Sequence, residues 1–277
     1  MNNILPIFYH IPKNSGTYIY NCILSEIRKI KKNVRVIRVV EDNHILVKIV
    51  VSNTDLSFLT DKLEPTQNAN VTYTLNVKNL TNDVLEKLSI DFISIEARGF
   101  RCTDTSLKLF FSFLLKFVLH KLIVLREPFL REQSLYHYLT SDKSKHERTH
   151  GVFRSPSFEE HIMSTQLRDS WLIRAILNIP NTTKTLTEEN LKSACEIIQT
   201  FNVYDTTNTD KAIKDTLLKC FNIENFNSTL IQKSKKNQNL YDKIKFEELP
   251  LNVRTQFIER KHWDQKLYNW FVNEQLC

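Results

Sequence analysis

The chain has 277 residues, 42% hydrophobic and 25% charged, an ordinary make-up for a soluble globular protein and enough for one large core or two small ones, read here as a single domain. Its formal net charge of +7 favours anionic partners, among which nucleotides, nucleic acid and acidic glycans are not separated by charge alone. Five cysteines, Cys22, Cys102, Cys195, Cys220 and Cys277, show no Cys-x-x-Cys or His/Cys grouping, so neither a zinc site nor a dense disulfide framework is expected.

Ile7-Phe8-Tyr9-His10-Ile11 reads as an apolar strand, followed by the polar turn Pro12-Lys13-Asn14-Ser15-Gly16-Thr17-Tyr18. Ile19, Cys22, Ile23, Ile27 and Ile30 then recur at helical spacing. Gly16 is one of three glycines in the chain, with Gly99 and Gly151, and backbone wrapping around an anion calls for such a residue. The first N–H groups of the helix would face that anion, and Lys13 adds a full positive charge. The lysine precedes Gly16 by three residues, which is not Walker A spacing. A plain strand-turn-helix capped by Asn14 or Ser15 is the competing reading.

Two β-branched runs, 34–40 and 45–51, separated by Glu41-Asp42-Asn43-His44, predict a hairpin. A strand at 71–77 and a helix near 81–88 follow, and we read residues 32–88 as a β-rich insertion. Asp91 to Ile95 is a short apolar strand ending in Glu96-Ala97-Arg98-Gly99. The apolar run Leu107 to Leu119 carries Lys108 and Lys116 and is too short to span a bilayer, so a buried helix is expected there. Lys121 to Leu125 is a further strand. Strands alternating with helices predict an α/β fold with a parallel sheet covered on both faces, whose ligands bind beyond the carboxyl ends of the strands. Those ends are His10 to Gly16, Glu96 to Gly99 and Arg126 to Pro128.

Beyond Pro128 the chain reads as mostly helical, with helices over 129–139, 158–163, 167–177, 187–201, 210–220, 250–260 and 263–273. In the segment 125–138, Arg126 leaves a strand tip and Ser134, eight residues on, lies about two turns into the next helix, so both can face one phosphate. The competing readings are an ion pair of Arg126 with Glu127 or Glu132, and a solvated helix serine.

Taken together, Pro12-Lys13-Asn14-Ser15-Gly16-Thr17 resembles the 5'-phosphosulfate loop of the sulfotransferases, commonly Pro-Lys-Thr-Gly-Gly-Thr, with Asn14 and Ser15 replacing Thr and the first Gly. Leu125-Arg126-Glu127-Pro128 with Arg131, Ser134 and Tyr138 resembles the same family's 3'-phosphate motif. Ser170 to Leu177, Glu189 to Asp205 and Asp264 to Tyr268 agree more weakly. The likeness covers most of the chain outside about 32–88 and is closest to the Golgi carbohydrate branch that acts on heparan or chondroitin. It implies a P-loop-NTPase-like doubly wound sheet with helices on both faces, the donor 3'-phosphoadenosine-5'-phosphosulfate (PAPS) and no metal.

In that family Lys13 would serve the leaving phosphate oxygen, the amides of Asn14 to Tyr18 and the Thr17 hydroxyl would hold the 5'-phosphate, and Arg126 and Ser134 the 3'-phosphate. Lys233, Lys235 and Lys236 would close over the 3'-phosphate. The family's Gly-His pair at the end of the second parallel strand is missing; Glu96 stands there as the expected base, with His10 next and His44 and His120 weaker. Lys143, Lys145, His146, Arg148, His150 and Arg154 would form a basic rim for an anionic glycan or glycoprotein acceptor; a solvated loop is the alternative. Protein tyrosine is the nearest alternative acceptor, and a catalytically silent nucleotide- or glycan-binding protein the alternative class. No recognition helix, zinc finger or aromatic RNA-binding signature points to nucleic acid. No membrane anchor is expected ahead of the first strand, although Golgi relatives have one and the Golgi lumen is the compartment implied by analogy.

Overall fold

A computed structural model describes residues 4–11, 15–31, 34–42, 44–51, 64–65, 72–76, 90–96, 114–140, 156–164, 169–177, 179, 185–226 and 243–276. The chain divides into two compact units, residues 1–125 with 198–235, and residues 126–197 with 236–277.

The first unit is built on one eight-stranded sheet. Its strands are β1 (Ile4–His10), β2 (Arg35–Asp42), β3 (His44–Val51), β4 (Glu64–Pro65), β5 (Thr72–Asn76), β6 (Phe92–Glu96), β7 (Val118–Leu125) and β8 (Asn202–Asp205), in the spatial order β4-β5-β3-β2-β6-β1-β7-β8. The five strands β2, β6, β1, β7 and β8 run parallel, and β3, β5 and β4 continue the sheet through antiparallel pairings. From β1 the chain passes to one side for β2 and β6 and to the other for β7 and β8.

Successive strand residues point to opposite faces, so Phe8, Phe92, Leu122 and Val124 share one face. Against that face lie α1 (Gly16–Ile30), through Ile19, Cys22, Ile23 and Ile27, and α6 (Thr209–Phe221), through Ala212, Ile213 and Leu217. The apolar stripe expected for α1 is therefore the one it buries, and Arg28 and Lys29 in its last turn complement the negative end of the helix dipole. On the opposite face, Tyr9 meets Phe201 edge-on at 4.7 Å between ring centres. Asn222, at φ 55°, ends α6 in a left-handed cap whose N–H returns to Leu218 O at 3.1 Å.

The hairpin expected between residues 34 and 51 is present as β2 and β3. It is not set apart from the sheet: β2 is the parallel neighbour of β6, from Val36 opposite Phe92 to Val40 opposite Glu96. The strand expected at 71–77 is β5, and the helix expected near 81–88 lies outside the described residues. Val118 and Leu119, expected to end a helix, instead open β7. A continuous apolar run does not by its pattern distinguish a buried helix from a buried strand.

In the second unit, α2 (Pro128–Thr140), α3 (Phe158–Met163), α4 (Trp171–Leu177) and α7 (Leu251–Leu276) gather around Phe129, Phe158, Ile162, Leu249, Val253 and Phe257. Pro128 opens α2, where its missing N–H costs nothing, and the Glu127 carboxylate accepts the Leu130 N–H at 2.8 Å. A fifth helix, α5 (Glu188–Gln199), leads into β8. The two helices expected over 250–260 and 263–273 are one continuous helix, α7. Lys261, at the break expected between the two, is buried and partnered by Glu132, and Asp264, buried in the same stretch, accepts the Leu172 N–H. No helix among the described residues is long and apolar enough to cross a membrane.

Candidate functional site

The carboxyl edge of the parallel sheet is where three motif-bearing strands end. Register pairs Tyr9 of β1 with Ile123 of β7 and His10 of β1 with Glu96 of β6. The exits of β6, β1 and β7 therefore open side by side, with β1 in the middle. Arg126 follows directly on Leu125, the last residue of β7, and is half-buried.

At the exit of β1 the His10 imidazole is buried, stacked on Phe8 with ring centres 5.8 Å apart and planes 10° from parallel. The ring lies against Gly16, the first residue of α1. A Cβ built there would sit 1.7 Å from His10 Cδ2 and 2.1 Å from Nε2, closer than any side chain tolerates. Sequence reasoning assigned Gly16 to backbone freedom around an anion, yet the positive φ belongs to its neighbour: Ser15, at φ 59° and ψ 14°, occupies the left-handed region. Ser15 makes no side-chain cap; the first bond of α1 is Ile19 N–H to Ser15 O at 3.1 Å. The amides of Gly16, Thr17 and Tyr18 precede that bond and are the ones a helix start offers an anion.

Thr17 is exposed. The Tyr18 hydroxyl donates to Asp210 Oδ1 at 2.9 Å, tying the first turn of α1 to that of α6; burial and this bond push its pKa upward. Pro12, Lys13 and Asn14 lie outside the described residues, as do Lys143, Lys145, His146, Arg148, His150, Arg154, Lys233, Lys235 and Lys236. Glu96 is described through its backbone, as the end of β6. Ser134 is half-buried on α2.

His120 has no place at this edge. It lies in the amino-terminal half of β7, opposite Pro6, and is buried between Thr216 Oγ1 at 3.2 Å and Asn202 Nδ2 at 3.3 Å. Burial, then the nearby Lys219, lowers its pKa, so it is a neutral packing residue.

The second unit holds a charged cluster that sequence reasoning did not foresee. Glu132, treated there only as a partner for Arg126, accepts from Lys261 Nζ at 3.0 Å and from the Arg131 guanidinium at 2.7 Å, while His161 Nε2 stands 3.5 Å away. Burial alone would raise the Glu132 pKa, but Lys261, His161 and Arg131 together hold it well below the usual carboxylate range. Arg131 also lies over the Trp171 ring at 4.3 Å. Asp264 accepts the N–H groups of Leu172 at 3.1 Å and Ile173 at 3.0 Å, capping α4 from α7. The Asp-x-x-Leu-Tyr segment singled out in the sequence is therefore a helix cap here, with Leu267 in the core. Beside the cluster, a cavity of about 580 Å³ is lined by Phe129, Phe246 and Phe257 and by Lys261 and Gln265 of α7.

Set beside known proteins, the chain matches no family model and no curated protein.

Proposed function

We propose that this protein is a sulfotransferase that moves a sulfuryl group from PAPS to a hydroxyl of a glycan. The observation that carries this reading is the parallel pairing of β1 with β7, from Ile4 opposite Val118 to Tyr9 opposite Ile123. It sets the strand exits of the two motifs, the one leading to Lys13 and Gly16 and the one leading to Arg126, next to each other at the carboxyl edge. The chain passes to one side of β1 for β2 and β6 and to the other for β7 and β8, which supports reading the sheet as doubly wound; such sheets bind ligands at that point.

In this reading the acceptor oxygen attacks sulfur in line. The bond from sulfur to the donor's phosphate oxygen breaks, and adenosine 3',5'-bisphosphate departs. Lys13 neutralises the charge that builds on that oxygen, and the amides at the start of α1 hold the 5'-phosphate. Arg126 and Ser134 hold the 3'-phosphate. The acceptor proton goes to Glu96; His10 is the less suitable base because its ring is packed against Gly16 and Phe8. The basic residues Lys143, Lys145, His146, Arg148, His150 and Arg154 suit an anionic acceptor chain, and Lys233, Lys235 and Lys236 a closing contact on the nucleotide.

A nucleotide-binding protein without transferase activity is the second reading. It is favoured by Ser15, which holds a left-handed conformation where the resembled loop has glycine. Transfer of radiolabelled sulfate from PAPS to a panel of glycans and tyrosine peptides decides between them. Wild type labels a glycan, Lys13→Ala and Arg126→Ala lose labelling, and Glu96→Gln loses turnover with donor binding intact. Donor binding with no labelled acceptor supports the silent protein; label on tyrosine peptides alone moves the acceptor from glycan to protein.

A further inference from the structure

We infer that His10 is a positioning residue for the start of α1: its ring, seated in the space that a side chain at residue 16 would take, sets where that helix begins. The role of the helix start in holding the donor rests on the sulfotransferase reading; the packing does not. Three observations converge on it.

The ring is fixed from below by Phe8, with which it stacks at 5.8 Å and 10°, and Phe8 is itself in the core against α1. It is fixed from above by Gly16, where a Cβ would stand within 2.5 Å of three ring atoms. Ser15, directly before Gly16, stands in the left-handed region, a conformation an L-residue adopts at a cost that its surroundings have to offset. An imidazole clamped between the end of a strand and the first residue of a helix imposes that conformation. The consequence is a defined direction for the first amides of α1, the groups an anion at this end would meet.

This assigns glycine at position 16 a steric reason, room for a ring, in place of conformational freedom. It also separates His10 from the general base, which has to reach the acceptor.

The test uses the full-length chain and the variants His10→Ala, His10→Phe, Gly16→Ala and the double variant His10→Ala/Gly16→Ala. Two quantities are read: affinity for adenosine 3',5'-bisphosphate by calorimetry, and exchange of the Ile19 amide, the first hydrogen bond of α1. His10→Ala is expected to weaken nucleotide binding at least about tenfold and to speed Ile19 exchange, while His10→Phe, which keeps a ring, restores both. Gly16→Ala lowers Tm, and the double variant recovers part of that loss because the ring is gone.

Unchanged Ile19 exchange in His10→Ala overturns the positioning role. A double variant no more stable than Gly16→Ala overturns the steric one. Normal nucleotide affinity with lost turnover in His10→Phe returns His10 to the role of base. If wild type binds no adenosine 3',5'-bisphosphate, the sulfotransferase reading falls, and the exchange and melting measurements alone decide whether His10 sets the start of α1.

Discussion

Lys261 of α7 donates its ammonium to Glu132 of α2 at 3.0 Å, and each residue is 1% exposed. Two full charges removed from water this completely persist because each is the other's partner. Removing Lys261 takes from the buried Glu132 carboxylate one of the charges that offset its burial, beside Arg131 at 2.7 Å, and removing Glu132 takes from the buried Lys261 ammonium this carboxylate. Lys261→Met and Glu132→Gln are each expected to destabilise the fold by about 3–5 kcal/mol, and the double variant by less than the sum. Urea denaturation of the four species checks this; additive losses count against the pairing.

The same pair sets an acid limit. The Glu132 pKa is lower in the folded chain than in the unfolded one, so the unfolded chain takes up the proton more readily. The stabilisation is fully present above about pH 5 and is lost progressively as pH falls through the unfolded value near 4.3 toward the depressed folded one. Denaturation midpoints measured between pH 7 and pH 3 should fall steeply in wild type, and less so in Glu132→Gln.

His120 works in the same direction at milder pH. Burial lowers its folded pKa, so protonation below about pH 6.5 favours the unfolded chain. Its ring should still be neutral by NMR at a pH where a histidine in a short peptide is half protonated. Titration at the ordinary histidine value would show that the pocket formed by Thr216 and Asn202 is open to water.

Asp264 caps a helix that is not its own. Asp264→Ala takes the acceptor from both Leu172 N–H and Ile173 N–H and is expected to cost about 1–2 kcal/mol, with Asp264→Asn losing less because its amide oxygen still accepts one bond. Thermal melts of the two variants give the order.

Ser15 carries strain that glycine would not. Ser15→Gly removes the Cβ from a residue at φ 59° and should stabilise the chain by up to about 1 kcal/mol, net of the extra backbone entropy glycine loses on folding. A lower Tm in this variant would mean that the serine side chain contributes more than its conformation costs.

The features legible in the chain before folding are those that local chemistry controls. Alternating and continuous apolar runs marked β1, the β2–β3 hairpin, β6 and most of β7, and the isoleucine spacing after Gly16 marked the buried face of α1. Pro128 marked the start of α2, and the strands read before Lys13, Glu96 and Arg126 are neighbours in one sheet. These signals survive because strand period, helix period and the missing proline N–H act within a few residues.

Which residues far apart in sequence become neighbours follows from the folded packing alone. Within residues 32–88, read as a β-rich insertion, only pairing with β6 shows that β2 is part of the parallel sheet. Lys261 and His262 fell between two expected helices; in the fold Lys261 is partnered by Glu132, Asp264 accepts the amides of α4, and α7 runs through. Gly16 read as the residue that lets the backbone wrap an anion, because a sequence shows which residue lacks a side chain but not what fills its place. The filler is His10, six residues earlier in the chain, brought against it when α1 folds back on the strand it leaves. Packing of this kind depends on which surfaces meet, and no local pattern encodes that meeting.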